Sequence, residues 1–267
     1  MATKGFDTKA QPGFGLIAGL IFVALYLPII VLVVFAFNAT ASLGVWGGFS
    51  LRWFEMAWQN EAIRRAALNS LYLAGVAAVL STVMATLAAL ATTRTAPYPG
   101  MTLKYAALNQ PLIVPEIVTG IALLIVFAQV RIWTGYSGFG YLILAHTAFC
   151  IPFAYLPIRA RLEGMDLTLE TAAADLYARP WPTFRHVTLP LLWPGVLAGF
   201  MLAFVVSLDD VIITEFVKSG GQDTLPTYML GQLRRSMTPE VNAAAAMLLL
   251  LSVTLVVAFY IVSRRKT

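Results

Sequence analysis

Cysteine is nearly missing from this chain: Cys150 stands alone in an apolar run, so neither an intrachain disulfide nor a cysteine metal cluster can form. Charge is scarce as well, at 12% of residues, and no basic run is interleaved with aromatics, so the net charge of +5 does not point to nucleic acid. No glycine-rich loop ends in Lys-Ser or Lys-Thr, so the chain cannot cradle ATP phosphates and any ATP dependence must come from another subunit. His-Glu-x-x-His and Gly-x-Ser-x-Gly are absent, and His146 and His186 stand forty residues apart, which argues against a metal enzyme or an intramembrane protease. His146 reads as a packing or hydrogen-bonding residue and not as a proton relay. There is no internal repeat and no low-complexity segment, and the gaps between apolar runs leave no room for a soluble domain.

What the chain has is hydrophobic sequence, 59% of its residues, which describes a protein embedded in a bilayer. Backbone amides in lipid must be satisfied within their own segment, so the expected fold is all-α. Six spans are read within a single transmembrane domain over residues 1–267: about 14–37, 66–93, 108–133, 141–158, 191–208 and 243–262. The first run is too long for a signal-peptide core of about 7 to 15 residues, so an uncleaved span is expected. Trp46, Trp53, Phe54 and Trp58 follow it and suit a membrane interface or a docking surface.

With the N-terminus placed in the cytoplasm, the inner segments hold Lys4, Lys9, Arg94, Lys104, Arg159, Arg161, Arg179, Arg185, Arg264, Arg265 and Lys266. Only Asp7, Glu163, Asp166, Glu170 and Asp175 oppose them there, while bases and acids balance in the outer segments. This satisfies the positive-inside rule and puts both termini in the cytoplasm.

Two places carry chemistry. The run from Phe204 to Val217 holds Asp209, Asp210 and Glu215 in apolar surroundings, and acids so placed usually face a water-filled cavity or a partner charge. On a continuous helix Ser207, Asp210 and Thr214 share a face, with Asp209 about 100° round. Clustered anions attract a cation, and Phe204 and Phe216 offer cation–π contacts of about 0.5 to 2 kcal/mol. However, a helix from Leu191 has risen about 27 Å by Asp209, nearly a bilayer core, so the acids equally suit the end of span five, with Asp210 capping a short following helix. Spacing alone leaves both readings open. Glu116, inside span three, either lines the inner exit, pairs with another subunit, or bonds amides freed by Pro111 and Pro115.

The second place is Leu167 to Pro190, a short Ala-rich helix between spans four and five whose narrow flank suits docking better than catalysis. It resembles the cytoplasmic loop of ABC importer permeases, in which Glu-Ala-Ala is followed at fixed offsets by Gly, Ile and Leu-Pro. Thr171, Ala172, Ala173, Tyr177, Val187, Leu189 and Pro190 occupy those offsets, with Glu170 beside Thr171 and with Asp175 and Leu176 preceding Tyr177. Thr171 stands where Glu is usual and Tyr177 where Gly is usual; Thr168 thereby lacks its capping-box partner. Ser207-Leu208-Asp209-Asp210-Val211, Thr224-Leu225-Pro226, Pro239-Glu240-Val241-Asn242-Ala243, Pro111 to Gly120 and Ala145-His146 are similar to the spermidine/putrescine group of these permeases.

The resemblance implies a type I importer permease of the bacterial cytoplasmic membrane, six helices with a coupling helix between helices 4 and 5. It implies a sister permease, two ATPase subunits that use ATP and Mg, and an extracytoplasmic substrate-binding protein. No cofactor is expected on this chain, and no nucleic acid among its partners, which otherwise include membrane lipid. Span five lines the path in related importers, so Ser207, Asp209, Asp210, Thr214, Glu215, Phe204 and Glu116 become candidates for the substrate path. Polyamines or related organic cations are the expected cargo, with an amino-acid-like or other amine solute as the alternative. An ion-coupled secondary carrier is a remote one.

Overall fold

The computed structural model describes residues 14–264 apart from 43, 96–98 and 235–238. Lys4, Lys9, Asp7, Pro97, Arg235, Arg265 and Lys266 lie outside the described residues. The helices are α1 (Phe14–Ala36), α2 (Arg52–Gln59), α3 (Glu61–Thr93), α4 (Met101–Leu108), α5 (Gln110–Ile113), α6 (Glu116–Thr134), α7 (Gly140–Glu163), α8 (Thr168–Asp175), α9 (Pro180–Thr183), a π-helical turn (Phe184–Thr188), α10 (Leu189–Asp209), α11 (Ile212–Val217), α12 (Leu225–Leu233) and α13 (Pro239–Arg264). Among the described residues six helices are long and apolar enough to cross a membrane: α1, α3, α6, α7, the continuous stretch Pro180–Asp209, and α13.

The helices overrun the apolar runs. The second crossing helix starts at Glu61, where Asn60 Oδ1 accepts the backbone N–H groups of Ala62 and Ile63 at 3.0 and 3.4 Å. Helical structure ahead of the fifth begins at Pro180. Hydropathy marks the stretch that crosses hydrocarbon, whereas backbone hydrogen bonding carries a helix on into its charged ends. The third crossing is broken: α4 and α5 precede α6, and Val114 and Pro115 are extended between them. Pro115 has no amide proton and biases the residue before it away from helix, so Glu116 stands at the first position of α6 and not two turns inside a continuous helix.

The core is the packing of α3, α7 and α10: α3 runs alongside α7 in the same direction, with Tyr72 against Phe139 and Thr92 against Tyr155, and α10 runs opposite to α7. On α10, Gly195, Gly199, Ala203 and Ser207 recur every four residues and all are buried. A Cβ on Gly199 would lie 2.7 Å from the Ala154 carbonyl oxygen, and one on Gly195 would lie 2.6 Å from Arg161 Cβ. The Cys150 thiol donates to the Ala203 carbonyl at 3.5 Å, and His146 meets Ser207, so α7 answers α10 turn for turn. Small residues at this spacing let helix backbones approach closely in lipid. The α3 face against α7 and α10 is built the same way, from Ala74, Ala77, Ala78, Ser81, Ala85 and Ala89. By contrast, the most apolar window of α1 has none of its residues buried within the chain, and those of α6 and α13 have 6%.

Candidate functional site

At the far end of the α7–α10 packing the fifth crossing breaks. Asp210 is extended, with φ −63° and ψ 134°, and α11 begins two residues later. The Asp210 carboxylate caps that helix: Oδ1 accepts the Ile213 N–H at 3.1 Å, and Oδ2 accepts the Thr214 N–H at 2.8 Å and its hydroxyl at 2.7 Å. His146 Nε2 lies 2.9 Å from Thr214 Oγ1 and its Nδ1 lies 2.8 Å from Ser207 Oγ. Because the Thr214 proton goes to Asp210, Nε2 donates to Thr214. The imidazole thereby ties Ser207 on α10 to Thr214 on α11 and, through Thr214, to Asp210. Glu116 joins this cluster with its carboxyl within hydrogen-bond reach of Asp210. The N-termini of α6 and α11 thus meet at two helix breaks, each with a carboxyl at its positive end.

The remaining candidates sit differently. Asp209 is exposed, and its carboxylate has no hydrogen bond or ion pair among the described residues. Glu215 is paired with Lys218 at 2.6 Å and lies 3.9 Å from Arg234, so its charge is answered within the chain. Phe204 is half-buried and stacks on Phe200, ring centroids 6.2 Å apart. Phe216 packs over Gly120, where a Cβ would come within 2.8 Å of the ring, and so joins α11 to α6. Lys218 also donates to Asp223 at 2.7 Å. Its partial burial favours the neutral amine, yet the hydrogen bonds and negative charges of Asp223 and Glu215 outweigh that and hold its pKa above the ordinary value.

At the opposite end of the core, Glu170 turns inward. Its Oε1 accepts from Arg94 Nη2 at 3.2 Å, at the end of α3, and from the Thr188 hydroxyl at 2.9 Å, in the π-helical turn that leads into α10. Thr171 is exposed and its hydroxyl donates back to the Leu167 carbonyl at 3.0 Å. The start of α8 is capped by Asp166, which accepts the Thr168 N–H at 2.9 Å; this bond holds the Asp166 pKa below its ordinary value. Ala172 and Asp175 are exposed and Ala173 is half-buried; Val187 and Leu189 are half-buried and Pro190 is exposed.

The C-terminus of α8 closes as a Schellman motif. The Ala178 N–H reaches the Ala173 carbonyl at 3.0 Å and the Tyr177 N–H reaches the Ala174 carbonyl at 2.9 Å. That closure needs a left-handed residue, and Tyr177 supplies it with φ 58°. A non-glycine residue there costs about 1 to 2 kcal/mol.

A model of the family described as "Binding-protein-dependent transport system inner membrane component" matches residues 101–266. The chain belongs to this family. It is 34% identical to the putrescine transport system permease protein PotI of Escherichia coli (strain K12), over 91% of this chain and 88% of that protein. It is 35% identical to the spermidine/putrescine transport system permease protein PotC of the same strain, over 92% of each. Its fold matches a chain of the bacterial alginate ABC transporter solved in complex with an alginate pentasaccharide-bound periplasmic protein. The TM-score is 0.72 at 18% identity, over 94% of this chain and 92% of that one. The protein is thus a membrane-embedded permease subunit of an ABC importer.

For this transport component, sequence reasoning missed Arg94 and Thr188 as partners of Glu170. An acid one residue away from the motif position was the available signal, since a displaced charge needs a new partner. The sequence marks His146 as a packing or hydrogen-bonding residue, but its meeting with Ser207 and Thr214 depends on the α7–α10 register. The small residues Gly195, Gly199, Ala203 and Ser207 set that register and are legible at four-residue spacing.

Proposed function

We propose that this permease subunit imports putrescine, spermidine or closely related organic cations across the bacterial cytoplasmic membrane, with both termini and α8 on the cytoplasmic side. The observation that carries the cargo reading is Asp209: an acid at the end of a membrane-crossing helix, exposed and without a partner in the described chain, beside a neighbour whose own charge is fully engaged. Such a carboxylate is available to an ammonium group. The naming of PotI and PotC for putrescine and spermidine supports the same cargo class.

In this reading a sister permease completes the path, two ATPase subunits bind ATP and Mg and dock on α8 and its counterpart, and an extracytoplasmic binding protein delivers cargo to the opposite face. Closing of the ATPase pair displaces α8. Glu170 passes the displacement to α3 through Arg94 and to α10 through Thr188. The close α7–α10 packing moves as a rigid unit, so the displacement arrives at the break where Asp210, His146 and Glu116 meet. This is a rigid-body device for alternating access.

The test is reconstitution of the complete importer with its binding protein in proteoliposomes, followed by uptake of labelled putrescine and spermidine against amino acids, neutral amines and sugars. ATP-dependent uptake confined to di- and polycations is the expected result. Uptake of an amino acid or a sugar instead would discard the cargo, and uptake driven by an ion gradient without ATP would discard the importer reading.

A further inference from the structure

Tyr177 combines two features that a chain folding for its own sake avoids. Alone among the described non-glycine residues it holds a left-handed backbone, with φ 58°, and its side chain is 95% exposed. Glycine would make the same Schellman closure without strain. Nothing inside the chain offsets that strain, because the ring covers no core and the hydroxyl has no partner among the described residues. Leu176 at 83% exposure and Trp181 at 67% extend the same uncovered corner. Strain that persists without internal compensation marks a functional position.

The corner is tied to the charged end of α3 and not to its apolar length. The 33 residues of α3 rise about 50 Å, against about 30 Å of hydrocarbon, and Arg94 at its end is the residue that holds α8 through Glu170. Such a helix projects its charged ends beyond the hydrocarbon, and Arg94, with the loop held to it, lies at one of them. Charged residues flank the aromatic corner on both sides, Asp175 and Arg179, as at the polar rim of a protein interface with an apolar centre.

We propose that Tyr177 is the anchor by which this loop engages its own ATPase subunit, its ring inserted into an apolar recess on that subunit, and that it sets which ATPase the loop accepts. The inference rests on the coupling role given to α8 above. The fixed turn presents a rigid ring in one direction, so docking loses little freedom, and a tyrosine has both an apolar body and a hydroxyl that can find a partner once covered.

Three variants of the full complex test it: Tyr177→Phe, Tyr177→Ala and Tyr177→Gly, each read by ATPase-subunit dissociation in detergent and by thermal unfolding of the permease pair. The expected pattern has opposite signs. Tyr177→Ala and Tyr177→Gly weaken ATPase binding by about tenfold or more, as loss of a buried aromatic anchor does, whereas Tyr177→Phe stays within about threefold. Tyr177→Gly at the same time raises the unfolding temperature above that of both wild type and Tyr177→Ala, because the turn is relieved. Wild-type affinity in Tyr177→Gly overturns the proposal, and so does a loss seen only in association with lipid vesicles. If wild type holds no ATPase subunit, the coupling reading itself fails; if wild type holds one and the variants do too, only the role of Tyr177 fails.

Discussion

The imidazole of His146 and the carboxylate of Asp210 stand 3.4 Å apart, with side-chain exposures of 0% and 1%. Between them Thr214 donates to the acid and accepts from the ring, so the acid is spent on holding α11 against α7. Asp209, its neighbour in sequence, faces outward with no such duty. Adjacent carboxylates therefore hold two different positions, one structural and one available.

The first prediction separates them. Asp210→Asn leaves a buried bonding set that it cannot fully match, and the complex should lose about 1 to 3 kcal/mol of stability, seen as a lower unfolding temperature and reduced transport of every cargo. Asp209→Asn should leave the unfolding temperature within experimental spread and raise KM for putrescine and spermidine. Equal thermal effects from the two substitutions would refute the division of labour.

A second prediction concerns Glu170. The pair with Arg94 is about a fifth exposed on each side, so its energy alone is modest, on the order of 1 kcal/mol. Its mechanical effect should be larger. Arg94→Ala and Glu170→Gln should keep ATP hydrolysis in the assembled complex but lower the uptake obtained per ATP, and the double variant should be no worse than the poorer single one, since both break the same link. Additive losses in the double-mutant cycle would show that the two residues act apart.

The α7–α10 packing gives a third. Gly199→Leu drives a side chain into the Ala154 carbonyl, which a Cβ alone would approach to 2.7 Å, and overpacking of this kind costs about 1 to 3 kcal/mol. Gly75 on α3 has no atom within 4 Å of a built Cβ; Gly75→Ala should be neutral or stabilise by up to about 1 kcal/mol through helix propensity. Thermal unfolding of the two variants side by side checks both signs.

Much of this was legible beforehand, for reasons that differ by residue. Membrane-crossing helices announce themselves because lipid demands both apolarity and internal hydrogen bonding, so the six spans follow from local sequence. Their ends do not: Glu61 and Pro180 belong to helices by backbone bonding, which hydropathy does not report. Lining and capping stayed open for the Asp209–Asp210 pair because a one-residue offset decides which carboxylate meets α11, and that offset is set by the extended backbone at Asp210. The spacing of Thr171, Tyr177 and Leu189-Pro190 marked the docking loop, yet the inward turn of Glu170 depended on Arg94, 76 residues away in sequence.

The last prediction is a pH dependence. Lys218 joins Glu215 on α11 to Asp223 in the following connection, with bonds of 2.6 and 2.7 Å. Its pKa lies above the ordinary 10.5 because the two acids outweigh the effect of burial. A cationic group raised in this way contributes its full stabilisation below pH 10.5 and loses it as pH rises through the higher folded value. Limited proteolysis of the 218–224 connection should therefore stay slow up to about pH 10 and accelerate above it. In Lys218→Met the acids are left without their shared cation, so cleavage should be faster than in wild type at neutral pH and should show no further step on the alkaline side. An alkaline step of equal size in the variant would mean that some other group ties α11 to the connection, and Glu215 would then be the next residue to substitute.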